Sequence, residues 1–130
     1  TPQAQKAMRD NNAVQGVVGR MEAQWRATRA YLYSTAAEVW RDLLRDGTIT
    51  EAHRIALRIA ATWSIHQSAA VVDTAYHMAG ATAVFNANRF ERRFRDMHAI
   101  AQQIQGRDSH YEDVGKAILS GHLEGTPTAR

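Results

Sequence analysis

The sequence contains no cysteine, which excludes disulfides, thiolate metal sites and cysteine nucleophiles at once. Its only two prolines, Pro2 and Pro127, lie near the ends, so the long middle is free of the residue that most strongly breaks a helix. No run of about 18 apolar residues exists, and the N-terminal stretch is polar where a secretion signal needs an apolar core. A cytoplasmic location, with no membrane partner, is the resulting expectation. Neither sign of charge dominates: 16 Lys and Arg, nearly all Arg, are interspersed with 13 acids for a net charge of +3. A nucleic-acid partner is therefore not expected. Strand-like alternation, solenoid repeats and low-complexity segments are also missing.

What remains is an alanine-rich chain of 130 residues, 45% hydrophobic and 22% charged, which has the composition and size of one folded helical domain. The reading is a single domain over 1–130, with 1–11 and 122–130 frayed. Val14, Val18, Met21, Trp25, Thr28, Leu32, Thr35 and Val39 recur in steps of four and three, which predicts a first helix from about Asn12 to Asp46, closed at Gly47. Thr50 is a suitable N-cap for a second helix from Ala52 to Ala79. That helix carries one stripe of Ile55, Ile59, Trp63, His66 and Ala70 and another of Ala56, Ala60, Ala69, Val72 and Tyr76, so it is expected to be central. Gly80 closes it, Thr82 caps a short turn, and Asn86 to Asn88 form a loop. A third helix is expected from Phe90 to Gln105, with Phe90, Phe94, Met97, Ile100, Ala101 and Ile104 inward, stopped by Gly106. A fourth is expected through Leu119, capped by Ser109. The fold class is all-α, an up-and-down helical bundle. Its long seams exceed what the short helices can cover, so some apolar surface must meet another segment or chain.

Chemistry is sparse in this pattern. A di-iron bundle needs Glu-x-x-His on facing helices, and no Glu here has His at that spacing. Asp73 and His77, four apart on one helical face, are more often hydrogen-bonded structure than metal ligands; no metal is expected. Ser64 with His66, and Ser109 with His110, are helix neighbours without a third triad member. The run Arg89, Arg92, Arg93, Arg95 is broken by Glu91 and Asp96, as on a solvated or salt-bridged helix face. At Gly80 a helix end followed by Ala81 and Thr82 offers backbone N–H groups of the kind that attract phosphate.

The residues His77-Met78-Ala79-Gly80-Ala81, followed by Glu91-Arg92-Arg93-Phe94-Arg95-Asp96, resemble the acyl-CoA dehydrogenase superfamily. There a Gln-x-x-Gly-Gly turn precedes a Glu-Arg-x-x-Arg-Asp-like helix start at matching spacing. The likeness runs from about Ala13 to Gly121. It includes Arg29-Ala30-Tyr31-Leu32-Tyr33, Val71-Val72-Asp73 and Tyr111-Glu112-x-x-Gly115, pieces most similar to the branch that also serves flavin-dependent hydroxylases. The resemblance implies the C-terminal four-helix bundle of a larger flavoenzyme, lacking its first helix and not catalytic alone. It also implies a homotetramer in which the turn meets FAD of a neighbouring subunit. His77, Gly80 and Ala81 would then face pyrophosphate or adenosine; Ala81 replaces the second glycine, and His77 replaces the glutamine while keeping a donor. In the hydroxylase branch the flavin is reduced FMN delivered by a flavin reductase.

The reaction type stays open between two enzyme readings. Many dehydrogenases of this family place a Glu base before a glycine after the Arg-Asp helix; here that place reads Gln105-Gly106, and an amide cannot take the proton. Asp108 is a nearby substitute. The hydroxylase branch shows Arg-Asp-x-His-x-x-x-Gln-His, and here Gln103 stands at the last histidine, able to donate a hydrogen bond but not to shuttle a proton. His98 and Gln103 are thus the candidate catalytic residues, with Arg95 and Asp96 read as structural. A non-catalytic helical interaction module is the competing class.

Overall fold

The computed structural model describes the backbone of residues 8–80, 89–103 and 106–121, and the side chains of these apart from residues 89 and 90. The described residues hold four main helices and no strand: α1 (Asn12–Asp46), α2 (Glu51–Ala79), α3 (Arg89–Ala101) and α4 (Ser109–Leu119). Both ends of α1 and the start of α2 have local causes. The Asn11 side chain accepts from the Ala13 and Val14 amides at 2.8 and 3.3 Å, meeting two of the amides a helix start leaves unpaired. Gly47, at φ 75°, ends α1 with its N–H on the Leu43 carbonyl. At 35 residues, α1 is about 52 Å long.

Thr50 caps α2 as its sequence position suggests, but its reciprocal partner is a histidine. The Thr50 hydroxyl accepts from the His53 amide at 3.2 Å, and His53 Nδ1 accepts from the Thr50 amide at 3.1 Å. With Nδ1 used as an acceptor, the proton sits on Nε2, which donates to Asp42 Oδ2 at 2.8 Å. One buried imidazole thereby ties the end of α1 to the start of α2. The four-residue link makes these helices antiparallel, and Gln24 pairs with Gln67 far along the same hairpin at 2.6 Å. From there α3 returns along the C-terminal part of α2, while α4 meets its middle. α2 is the helix that the other three share, as the two stripes predict. The architecture is an all-α, up-and-down helical bundle.

The core between α1 and α2 is built from small side chains. Thr28, Thr35 and Val39 on α1 and Ala56, Ala60 and Ser64 on α2 are buried, Thr62 is buried on the side of α2 that meets α4, and Thr28 returns its hydroxyl to the Gln24 carbonyl. Large side chains lie outside: Tyr33 is 59% exposed, Trp40 60% and Leu44 69%, and Val18, Trp25, Trp63 and Ile100 are also exposed. Four seam assignments are thereby corrected. Val18, Trp25, Trp63 and Ile100 are exposed rather than part of the core, whose buried positions carry smaller side chains.

The later helices depart from expectation at two ends. α3 stops at Ala101, four residues before the predicted end. The amides of Gln102 and Gln103 turn back to carbonyls three residues earlier, and Gly106 does the same to Gln103, tightening the chain into successive short turns. Gly106 is buried; a Cβ there would stand 2.7 Å from the Ala101 carbonyl oxygen and 3.3 Å from Ile65 Cγ2. The glycine allows the chain to fold back against α2 before another helical turn can form. Ser109 is the first residue of α4 rather than its cap; Asp108 holds the cap position in helical conformation with no side-chain capping bond. Within α3, Phe94, Met97 and Ala101 are half-buried, whereas the Phe90 side chain, Ile104, Thr82 and the expected loop Asn86 to Asn88 lie outside the described residues.

Candidate functional site

Asp73 and His77 sit one helical turn apart near the end of α2, and His98 faces them from α3. The His77 Nδ1–H donates to the Asp73 carbonyl at 2.7 Å. The Asp73 carboxylate pairs with His98 Nε2, also at 2.7 Å. Both imidazoles are therefore fixed by the same residue, one through its backbone and the other through its side chain. Carbonyl and carboxylate oxygens only accept, so neutral His77 carries its proton on Nδ1 and neutral His98 on Nε2. Each ring is left with a nitrogen lone pair for a ligand. His77 as a neutral side chain thus keeps one donor, the Nδ1–H given to the Asp73 carbonyl, and presents its Nε2 as an acceptor. A hydrophobic stack closes the other side of His98: Phe94 lies 4.4 Å from it, tilted by 52°, and Tyr76 stacks on Phe94 at 4.1 Å.

Gly80 adopts φ 61° and ψ −143°, a combination reserved almost entirely for glycine. Its amide is spent on the His77 carbonyl at 3.2 Å, so what it offers a ligand is the missing side chain: among the described residues, a Cβ built there meets nothing within 4 Å. Ala81, the third expected cofactor contact, lies outside the described residues, as does Gln105. Gln103 is exposed in the short turns after α3 and not on the helix that carries His98, so the helical phasing assumed for the two is lost. Asp108, the alternative base, is exposed at the start of α4, 3.7 Å from His66 Nε2. Arg95 pairs loosely with Glu91 at 3.8 Å, in keeping with a structural role. Among the described residues no group of three or more His, Asp or Glu side chains is placed to hold a metal.

Sequence reasoning missed a second polar cluster, where α4 meets α2. His66 donates from Nε2 to the Gly106 carbonyl, and its Nδ1 accepts from the Tyr111 hydroxyl at 2.8 Å; one turn away, Thr62 bonds His110 Nδ1 at 2.8 Å. Burial raises the Tyr111 hydroxyl pKa above its ordinary 10.0, with the charges of Asp108 and Tyr31 adding to it, and burial raises Tyr31 as well. The sequence signal was limited to two polar residues, Thr62 and His66, one turn apart inside an apolar stripe.

The family described as "Acyl-CoA dehydrogenase, C-terminal domain" matches residues 1–106. This chain belongs to that family. Two curated relatives are each named indole-3-acetate monooxygenase. The Pseudomonas putida protein is 25% identical over 122 residues, covering 90% of this chain and 31% of that protein. The Acinetobacter baumannii protein is 24% identical over 106 residues, covering 82% and 27%. The chain thus spans less than a third of the length of these relatives. As an acyl-CoA dehydrogenase C-terminal domain it comes from a family of flavin-dependent oxidoreductases, and its corner fits such a group in two respects: a glycine that no other described residue crowds, and an exposed imidazole beside it.

Proposed function

We propose that this chain is the C-terminal domain of a flavin-dependent monooxygenase, serving flavin contact and assembly rather than catalysis by itself. The observation that carries this reading is the family match over residues 1–106, joined by two monooxygenase relatives that each cover more than four-fifths of the chain. His77 and Gly80 are the residues offered to the flavin, which is reduced FMN from a reductase in this reading and FAD in the dehydrogenase one. Bound there, a reduced flavin supplies the two electrons that let dioxygen transfer one atom to an aromatic substrate. His98, held by Asp73, is the group of this chain that takes or returns a proton at its Nδ1 lone pair.

Assembly is supported by the outer face of α1. Val18, Trp25, Tyr33, Trp40 and Leu44 fall within about 100° of the helix circumference and are exposed; a stripe of aromatics of this kind is expected to be covered by the rest of a flavoenzyme or by other subunits in a tetramer. The dehydrogenase alternative keeps one specific support, the family's own name and chemistry. Full-length protein with reduced flavin and 18O-labelled dioxygen decides between them. Incorporation of one labelled atom into product supports the monooxygenase. Anaerobic bleaching of bound flavin by an acyl-CoA, without oxygen incorporation, supports the dehydrogenase. Neither activity, with no flavin bound, supports a helical interaction module and refutes both.

A further inference from the structure

Asp73 is hydrogen-bonded to both imidazoles of the candidate site, and through chemically different groups. Its backbone carbonyl fixes His77, and its carboxylate fixes His98 from across the α2–α3 interface. Neither side chain of the Asp73–His98 pair is buried: the two are 41% and 45% exposed. Water competes for such a pair, so its contribution to stability is small. Orientation is a different matter. With Nε2–H directed at Asp73 Oδ1 and the ring confined by Phe94, rotation of the imidazole breaks both contacts, and Nδ1 is left with no partner among the described residues.

We propose that Asp73 is a positioning residue: it holds His98 as the Nε2–H tautomer so that Nδ1 accepts a proton from a ligand O–H or N–H. In that step the ligand's X–H bond breaks, its electron pair stays on the ligand, and a new N–H bond forms at Nδ1. The resulting imidazolium keeps its Nε2–H on the Asp73 carboxylate, whose negative charge stabilises it. No electron is exchanged. The proposal rests on the flavin-oxidoreductase reading above.

Asp73→Asn tests it, because the substitution removes the carboxylate and leaves the backbone carbonyl in place. In 15N-histidine-labelled protein, the wild type is expected to show a downfield His98 Nε2–H resonance and a separate His77 Nδ1–H resonance. In Asp73→Asn the first moves upfield or is lost to exchange, and the second stays; Asp73→Ala gives the same pattern and guards against a new bond from the asparagine amide. In the full-length enzyme kcat falls about 10-fold to 100-fold, less than the roughly 100-fold to 10,000-fold that a general acid or base itself contributes, as befits a residue that only positions one, while flavin affinity and KM change less than about two-fold. An unchanged His98 resonance overturns the proposal, as does loss of both histidine signals, which marks local unfolding. A lost His98 signal with unchanged kcat also overturns it, while leaving the flavin domain intact. Wild-type protein that binds no flavin sinks the functional reading and this proposal with it, an outcome told apart because the histidine spectra need no flavin.

Discussion

Replacing Gly106 with alanine tests the packing that ends α3 and seats α4. The new methyl carbon would lie 2.7 Å from the Ala101 carbonyl oxygen and 3.3 Å from Ile65 Cγ2. The first is a backbone atom at the end of a helix, so relief requires moving either α3 or the link to α4. Overpacking of this kind costs about 1–3 kcal/mol. A displaced Gly106 also weakens the bond its carbonyl accepts from His66, worth about 1 kcal/mol. Against this, alanine restricts the unfolded chain and contributes about 0.4–1 kcal/mol in favour of folding, which is available because Gly106 has no positive φ. The clash wins, leaving a net loss of about 1–3 kcal/mol. For a chain of this size that lowers Tm by roughly 4–12 °C. Gly115→Ala is the control: it sits within α4 with no other described residue within 4 Å of its new Cβ, so removing a helical glycine should raise Tm by a few degrees, about 0.5–1 kcal/mol. Thermal melts followed by circular dichroism at 222 nm compare the two. A Gly106→Ala melt equal to or above wild type would refute the claim that the glycine is there for lack of space.

Three further outcomes follow from other parts of the fold. His53→Ala removes the bonds to Thr50 and Asp42 and leaves the mostly buried Asp42 carboxylate with Arg45 alone, so urea denaturation should show a loss of about 2–3 kcal/mol; a loss below about 0.5 kcal/mol would show that the clamp is decorative. Burial lifts the Tyr31 and Tyr111 hydroxyls above 10.0, so the folded chain holds these protons more tightly than the unfolded one. Their contribution is complete below about pH 10 and declines as pH rises through the raised values; the wild-type urea midpoint should fall more steeply above about pH 10 than that of the Tyr31→Phe, Tyr111→Phe double variant, and parallel curves would contradict the shift. Trp40→Ser should weaken subunit or domain association in the full-length protein by about 2 kcal/mol or more if this exposed ring is an interface anchor, read as a shift toward smaller species in analytical ultracentrifugation, with an unchanged helical signal.

The sequence was informative where structure is local. The start and end of α1, the Thr50 cap and the central position of α2 follow from capping chemistry and helical spacing. It was misleading where small and large residues share one helix: period alone placed Trp25, Trp63 and Val18 inward, but the buried positions are Thr28, Ala56 and Ala60, and the larger side chains stay exposed. The early end of α3 was invisible because the chain there folds back onto α2, where the Gly106 carbonyl meets His66, forty positions away. The same holds for the candidate site. His77 and His98 could be named from a motif, but their protonated nitrogens are set by Asp73 across two helices, and the His66–Tyr111 pair unites residues from α2 and α4 that no spacing rule connects.

The account depends most on flavin meeting the end of α2, and His77 is the cleanest probe of that contact. Its ring is exposed, so His77→Ala should leave Tm within about 2 °C of wild type. Titration of flavin into the full-length protein should then give an affinity weaker by roughly ten-fold, about 1.4 kcal/mol. Equal affinities for variant and wild type would contradict the placement of the flavin at this corner.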